Sequence, residues 1–268
     1  MGRRPAPAAA VLAAVLVAAL VTGCSAASTP SSGPSSASSV VATADDLPAV
    51  TTSAAPGVQQ VVDWTAPDGT RVQYVLVVPP GRAAGAPGKV LLTFPPGGQD
   101  LDLTQRIVAD RWRTEALARG WVVVSPAATA KGLWYQPELA ALVPALLDEV
   151  ARTYPPEGGR FDLAGVSNGG LSAFAAAEGA PRRFRSLVVF PGMPPDDDAA
   201  ALAGLKGLGA AFYVGALDTG WLEGSHKAAD ALQAMGNTVE LHEVAGQGHI
   251  LENLTGTELF DAMERVRG

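Results

Sequence analysis

Apolar residues fall along this chain in three regimes. From Ala6 to Val21 every residue is apolar or small and none is charged. From Ser25 to about Pro56 the chain is rich in Ser, Ala, Thr and Pro, and no apolar period emerges. Beyond Gly57, short β-rich runs alternate with stretches of helical spacing almost to the end.

Val58–Trp64 and Arg71–Val78 flank the turn signal Pro67-Asp-Gly-Thr70 and predict an antiparallel hairpin. Lys89–Phe94 is a short apolar strand that runs into Pro-Pro-Gly-Gly. Leu103 to Arg119 has helical spacing, with Ile107, Trp112 and Leu117 among its apolar positions and Gly120 placed to end it. Trp121–Ser125 reads as a buried strand. Leu139, Leu142, Leu146 and Val150 make a helix face, which Pro144 must either start or kink. Strands follow at Arg160–Ala164, Ser186–Phe190 and Ala211–Gly215. Then come a helix over Ala228–Met235, a strand over Thr238–Val244 and a last helix over Thr257–Val266. The later strands are mostly apolar. That pattern implies an α/β domain: a mostly parallel central sheet with an N-terminal antiparallel hairpin and helices on both faces. Ligands in such sheets bind beyond the carboxyl ends of the strands, here the loops after Phe94, Ala164, Gly215 and Val244.

The first regime changes the picture of where the domain works. Arg3 and Arg4 precede an apolar run shorter than the roughly 18–20 residues needed to span a bilayer as a helix. It closes on Leu20-Val-Thr-Gly-Cys24, which resembles the lipobox of bacterial lipoproteins. The resemblance implies removal of residues 1–23 as a signal peptide and lipid attachment, such as palmitate, at Cys24. It also implies anchorage to the outer face of the bacterial cell membrane. The alternative is an ordinary secretory signal with a chance cysteine. Residues 24–56 bury too little to offset their ordering entropy and read as a disordered tether. Residues 57–268 suffice for one α/β domain. Cys24 is the only cysteine, so no intramolecular disulfide can help hold that domain. The net charge of −7 becomes −9 without Arg3 and Arg4, and no basic run appears, which argues against nucleic acid as a partner.

Candidate chemistry centres on Arg160-Phe-Asp-Leu-Ala-Gly-Val-Ser-Asn-Gly-Gly-Leu-Ser-Ala-Phe174, a strand that stops abruptly and becomes a helix. Gly165-Val-Ser-Asn-Gly169 matches the nucleophile-elbow pattern G-x-S-x-G. A tight strand-to-helix turn strains the serine backbone, and side chains two residues either way would collide. It also presents the Ser167 hydroxyl at a helix N-terminus, whose free N–H groups can hold a developing oxyanion.

A serine needs a base, and the chain has three histidines. His242 falls within a predicted strand and His226 at a predicted helix start. His249, in Ala245-Gly-Gln-Gly-His249 after the last strand, sits on a loop able to reach the serine. The base needs an orienting carboxylate. Asp218 follows a strand end in Gly215-Ala-Leu-Asp-Thr-Gly220; Asp196, Asp197, Asp198 and Glu223 are its rivals. The gaps of 51 residues from Ser167 to Asp218 and 31 from Asp218 to His249 leave no room for a large cap domain. For the oxyanion, the N–H of Asn168 is one donor. Pro95 and Pro96 have no N–H, so the second is Gly97, or failing that Gly98. Trp134, Tyr135 and Trp221 follow strand ends and are candidates for a substrate pocket wall or for plain packing. Three scattered histidines and one cysteine form no ligand cluster, so neither metal nor cofactor is expected.

From Lys89 to His249 the chain resembles the α/β-hydrolases. Within them it is most similar to exported esterases of the polyhydroxybutyrate depolymerase, feruloyl esterase and acetylxylan esterase type. The resemblance is most specific from Leu146-Leu-Asp-Glu-Val-Ala-Arg-Thr-Tyr154 into Arg160–Gly170. It implies Ser167 as nucleophile, Asp218 as acid and His249 as base, acting on an ester-containing small molecule or oligomer. The chain departs from the family at the oxyanion loop, where Pro95-Pro96 replace the usual His-Gly ahead of Gly98-Gln99. The expected activity is a serine hydrolase cleaving carboxylic esters through an acyl-enzyme. A peptidase on the same fold and a non-catalytic, ligand-binding lipoprotein are the alternatives.

Overall fold

The computed structural model describes residues 57–196 and 199–268. The expected signal peptide, Cys24 and the tether lie outside the described residues. Among the described residues eight strands form one sheet: β1 Gln59–Thr65, β2 Arg71–Val77, β3 Val90–Phe94, β4 Val122–Pro126, β5 Phe161–Gly165, β6 Phe184–Val189, β7 Gly209–Gly215 and β8 Val239–Val244. Their order is β1-β2-β4-β3-β5-β6-β7-β8. The hairpin β1–β2 is antiparallel, as the turn signal predicts, and β2 meets β4 antiparallel; the other pairings are parallel.

Alternation along each central strand divides the core into two. Leu92, Leu163, Val189 and Phe212 belong to one buried cluster, and their neighbours Leu91, Ala164, Val188 and Ala211 to the other. This is the two-residue period of a strand covered on both faces. The first cluster is closed by α4 (Val143–Thr153), α5 (Asn168–Gly179) and α7 (Thr219–Ala234), through Leu146, Phe174 and Leu232 among others. The second is closed by α1 (Leu101–Ile107), α2 (Arg113–Arg119) and α8 (Gly256–Val266), whose Ala116, Leu259 and Met263 are buried. Two short helices, α3 (Pro137–Ala140) and α6 (Ala199–Ala203), sit in connections. Pro144 falls in the first turn of α4, so it starts that helix rather than kinking it. Gly120 caps α2 in the left-handed conformation at φ 76°, as its position predicts.

Three elements differ from expectation. The helix face expected over Leu139, Leu142, Leu146 and Val150 is divided between α3, which carries Leu139, and α4, which Leu142 caps. The helix expected from Leu103 begins at Leu101, capped by Asp100, whose carboxylate accepts from the N–H of Leu103. It is then broken by a π-helical turn over Val108–Trp112. Within that turn Trp112 is buried and meets Phe190 and Phe260 edge-on, both at 5.8 Å between ring centroids. The helix expected from Ala228 begins nine residues earlier, at Thr219. His226 therefore lies inside α7, bonded to Glu243, rather than at a helix start.

Candidate active site

Each candidate side chain leaves the carboxyl end of a parallel strand. Ser167 stands between β5 and α5 with φ 57° and ψ −121°, a strained backbone for a residue with a side chain. The flanking glycines explain how the turn closes. A Cβ on Gly165 would lie 2.0 Å from the carbonyl oxygen of Gly169, and one on Gly169 would lie 2.1 Å from that of Phe94. The expected collision is thus with the backbone itself, including the end of β3.

His249 Nε2 lies 2.8 Å from Ser167 Oγ, and His249 Nδ1 lies 2.7 Å from Asp218 Oδ2. The two loops that supply the pair are stapled together. The N–H of Ala216 donates to Val244 O and that of Leu217 to Gln247 O, while within the histidine loop the N–H of Glu252 donates to the side chain of Gln247. Gly215 is needed beneath them, because a Cβ there would lie 2.1 Å from the carbonyl oxygen of Gly248. Asp218 keeps 14% of its side chain exposed against 40% for His249, so the carboxylate sits behind the imidazole. The rivals lie elsewhere or outside view. Glu223 is exposed on α7, Asp196 is exposed after β6, and Asp197 and Asp198 lie outside the described residues. His242 stacks on Tyr213 at 4.6 Å and meets Glu240, away from this cluster.

The loop after β3 comes to the same place. Gly97 has φ 57°, open to glycine and costly for other residues. Its carbonyl accepts from the side-chain amide of Asn168 at 2.9 Å. In a planar trans peptide the N–H opposes the carbonyl, so the N–H of Gly98 is directed away from Asn168. As the first residue of α5, Asn168 has no intrahelical acceptor for its own N–H. Gln99 holds the loop from beneath. It is fully buried at φ 54°, donates to Pro95 O and Ser172 Oγ, and accepts from the N–H of Trp134.

A cavity of about 360 Å³ opens beside Ser167 and His249. Its walls are mainly apolar, from Pro96, Ile107, Val166, Phe190, Ile250 and Leu251, with Arg111 among them. Trp134, Tyr135 and Trp221, candidates for a pocket wall or for plain packing, are not among the walls of this cavity. Trp134 is wholly buried, its indole N–H on Ala127 O and its ring 5.8 Å from Phe94. Trp221 packs on the His249 ring at 5.2 Å, and Tyr135 is not among the cavity walls. Burial and backbone partners place Trp134 in the packing rather than in a wall. The residues that do line this cavity were not singled out from sequence, although Ile107 and Arg111 stand four apart, at helical spacing, and put a cation beside an apolar residue.

No protein-family model matches the chain, and no curated protein matches it in sequence. Solved structures do match in three dimensions. A dienelactone hydrolase from Anabaena variabilis is 20% identical with a TM-score of 0.56, over 78% of this chain and 94% of that one. An S-formylglutathione hydrolase from Agrobacterium tumefaciens is 17% identical with a TM-score of 0.57, over 78% and 95%. The chain has the α/β-hydrolase fold. A thermostable esterase of the same fold is 16% identical with a TM-score of 0.58, over 70% of this chain; the chain spans only 54% of that protein. On this fold the G-x-S-x-G turn, the loop carrying His249 and the loop carrying Asp218 meet at one sheet edge, in the chain order Ser…Asp…His.

Proposed function

We propose that the protein is a serine hydrolase that cleaves carboxylic esters through an acyl-enzyme, with Ser167, His249 and Asp218 as its triad. The observation that carries this reading is the unbroken chain of short contacts from the Ser167 hydroxyl through the imidazole to the Asp218 carboxylate. Each link has one task. Asp218 accepts the Nδ1–H of His249, which leaves Nε2 as the free base. Ser167 Oγ attacks the ester carbonyl carbon while its proton passes to Nε2. The tetrahedral oxyanion is held by the N–H of Asn168 and that of Gly97. Gly97 is preferred over Gly98 because it lines the cavity and because the Asn168 amide turns the Gly98 N–H away. Collapse breaks the bond to the alcohol oxygen, which takes the proton back from Nε2. Water then repeats the sequence on the acyl-enzyme, so one ester and one water give one acid and one alcohol.

The mainly apolar cavity supports an ester with an apolar portion. The Leu20-Val-Thr-Gly-Cys24 sequence supports tethering of this activity to the outer face of a membrane through lipid on Cys24. Loss of palmitate incorporation in Cys24→Ser checks that placement.

The test of the catalytic reading is labelling of the purified protein by a fluorophosphonate probe, with turnover of short- and long-chain acyl esters. Both must vanish in Ser167→Ala. Labelling joined to amide but not ester turnover would reassign it as a peptidase. Absence of labelling would leave a binding protein.

A further inference from the structure

Arg111 is at odds with its setting. The cavity beside Ser167 is walled by Pro96, Ile107, Val166, Phe190, Ile250 and Leu251, and Arg111 is the one permanently charged residue among its walls. One guanidinium nitrogen donates to the carbonyl of Leu254, which fixes the head at the end of the segment carrying Ile250 and Leu251. No carboxylate among the described residues pairs with it. Three other arginines near this face of the sheet do pair: Arg119 with Glu115 and Asp261, Arg265 with Glu240, Arg267 with Asp162; the exposed Arg106 and Arg113 do not line the cavity. A cation held by a neutral carbonyl keeps its remaining donors for something else, and a planar guanidinium suits a carboxylate.

The backbone supports the placement. A π-helical turn runs over Val108–Trp112, and such turns recur at functional sites. It keeps Trp112 in the core against Phe190 and Phe260 while the cavity takes Ile107 and Arg111.

We infer that Arg111 is a specificity residue, and that the substrate is an ester carrying a carboxylate at the far end of an apolar spacer. The spacer lies along Ile107, Phe190 and Leu251, and the carboxylate meets Arg111. The inference rests on the proposed esterase reading and narrows its substrate class.

The test compares matched ester pairs on the intact 57–268 domain and three variants. Mono-para-nitrophenyl adipate and suberate are set against para-nitrophenyl hexanoate and octanoate, which end in methyl. The acetate of para-hydroxybenzoate is set against para-methylphenyl acetate, to place the anion on the alcohol side. Each pair is read as a ratio of kcat/KM, so the intrinsic reactivities cancel between variants. One of the two series should favour the anionic ester, relative to Arg111→Gln, by about tenfold or more, the scale of one charge-assisted hydrogen bond. Arg111→Gln can still donate to Leu254 O, so losing the ratio there reports charge rather than loop support. Arg111→Lys should retain part of the ratio, and Arg111→Glu should reverse it. In the wild type the ratio should shrink as salt is added, a readout that stands even if a variant fails to fold. Neutral esters cleaved with a ratio unchanged in Arg111→Gln, or indifferent to salt, would overturn the inference and leave the esterase reading intact. No ester cleaved in either series would overturn both.

Discussion

The side-chain amide of Asn168 reaches back across the site to the carbonyl of Gly97 at 2.9 Å, while its own backbone N–H opens α5. One residue thus supplies one proposed oxyanion donor and fixes the loop that supplies the other. Asn168→Ala keeps its N–H but releases the loop. We expect kcat to fall roughly 10- to 100-fold, the cost of a misplaced donor, with little change in KM. Steady-state kinetics beside a melting curve checks this. An unchanged kcat would remove Asn168 from the positioning role.

Two glycines on α5 should behave oppositely. A Cβ at Gly169 would strike the backbone of Phe94 and Pro95 at 2.1 and 2.6 Å, and backbone cannot move aside cheaply. Gly169→Ala should cost about 3 kcal/mol or more. Gly179, exposed at the other end of the helix, has nothing within 4 Å of a built Cβ. Gly179→Ala should be neutral or gain up to about 1 kcal/mol. Urea midpoints of the two variants give the comparison.

Gln99 makes three buried hydrogen bonds, to Pro95 O, Ser172 Oγ and the N–H of Trp134. Gln99→Met keeps the approximate shape and removes all three. Unmet buried polar groups cost about 1–3 kcal/mol each, though not additively. A loss of roughly 3 kcal/mol in denaturant unfolding is expected, with reduced turnover as the loop slackens. A stability within error of the wild type would contradict the bracing role.

At the opposite end of the sheet, Asp162 is wholly buried and accepts from Ser186 Oγ at 2.7 Å and Arg267 Nε at 2.9 Å. Burial holds its carboxyl above the ordinary value, while Ser186 and Arg267 pull the other way. An acid with a higher pKa folded than unfolded keeps its proton better in the folded chain. Its favourable share of stability is therefore present at low pH and lost as pH rises through the raised pKa. Arg267→Met should leave the charge stranded and cost about 3 kcal/mol at neutral pH. That cost should shrink as pH falls through the raised pKa, where the folded carboxyl takes up its proton and no charge is left to strand. Unfolding curves across pH decide it; a pH-independent cost would exclude the charge as its cause.

The elbow was legible in sequence because the constraint on it is local. Two glycines around a serine, between a strand run and a helix run, encode a backbone clash within five residues. That His249 would reach Ser167 was legible because the other two histidines fall in a predicted strand and at a predicted helix start; Asp218 was legible only as one of five carboxylates, favoured by its place after a strand end, and its contact with His249 came from the fold. The start of α7 was not. Gly220 and Gly224 read as loop, yet Gly224 lies in the helix where a Cβ would meet Met193 Sδ at 2.0 Å. A glycine kept for close approach looks the same in sequence as one kept for a turn. Trp134 misleads for a related reason: its burial is set by Gln99 and Ala127, 35 and 7 residues away.

The π-helical turn has a consequence for how this protein can change. Its five residues, Val108–Trp112, take one more position than a regular helix needs there, so the segments before and after run in different phase. Losing a single codon, such as that of Ala109, would let the two merge into one continuous helix and re-aim what faces the cavity. Ser167, Asp218 and His249 would keep their places on other loops. What the cavity admits could therefore be recut by a change in chain length, with no alteration to the proposed triad.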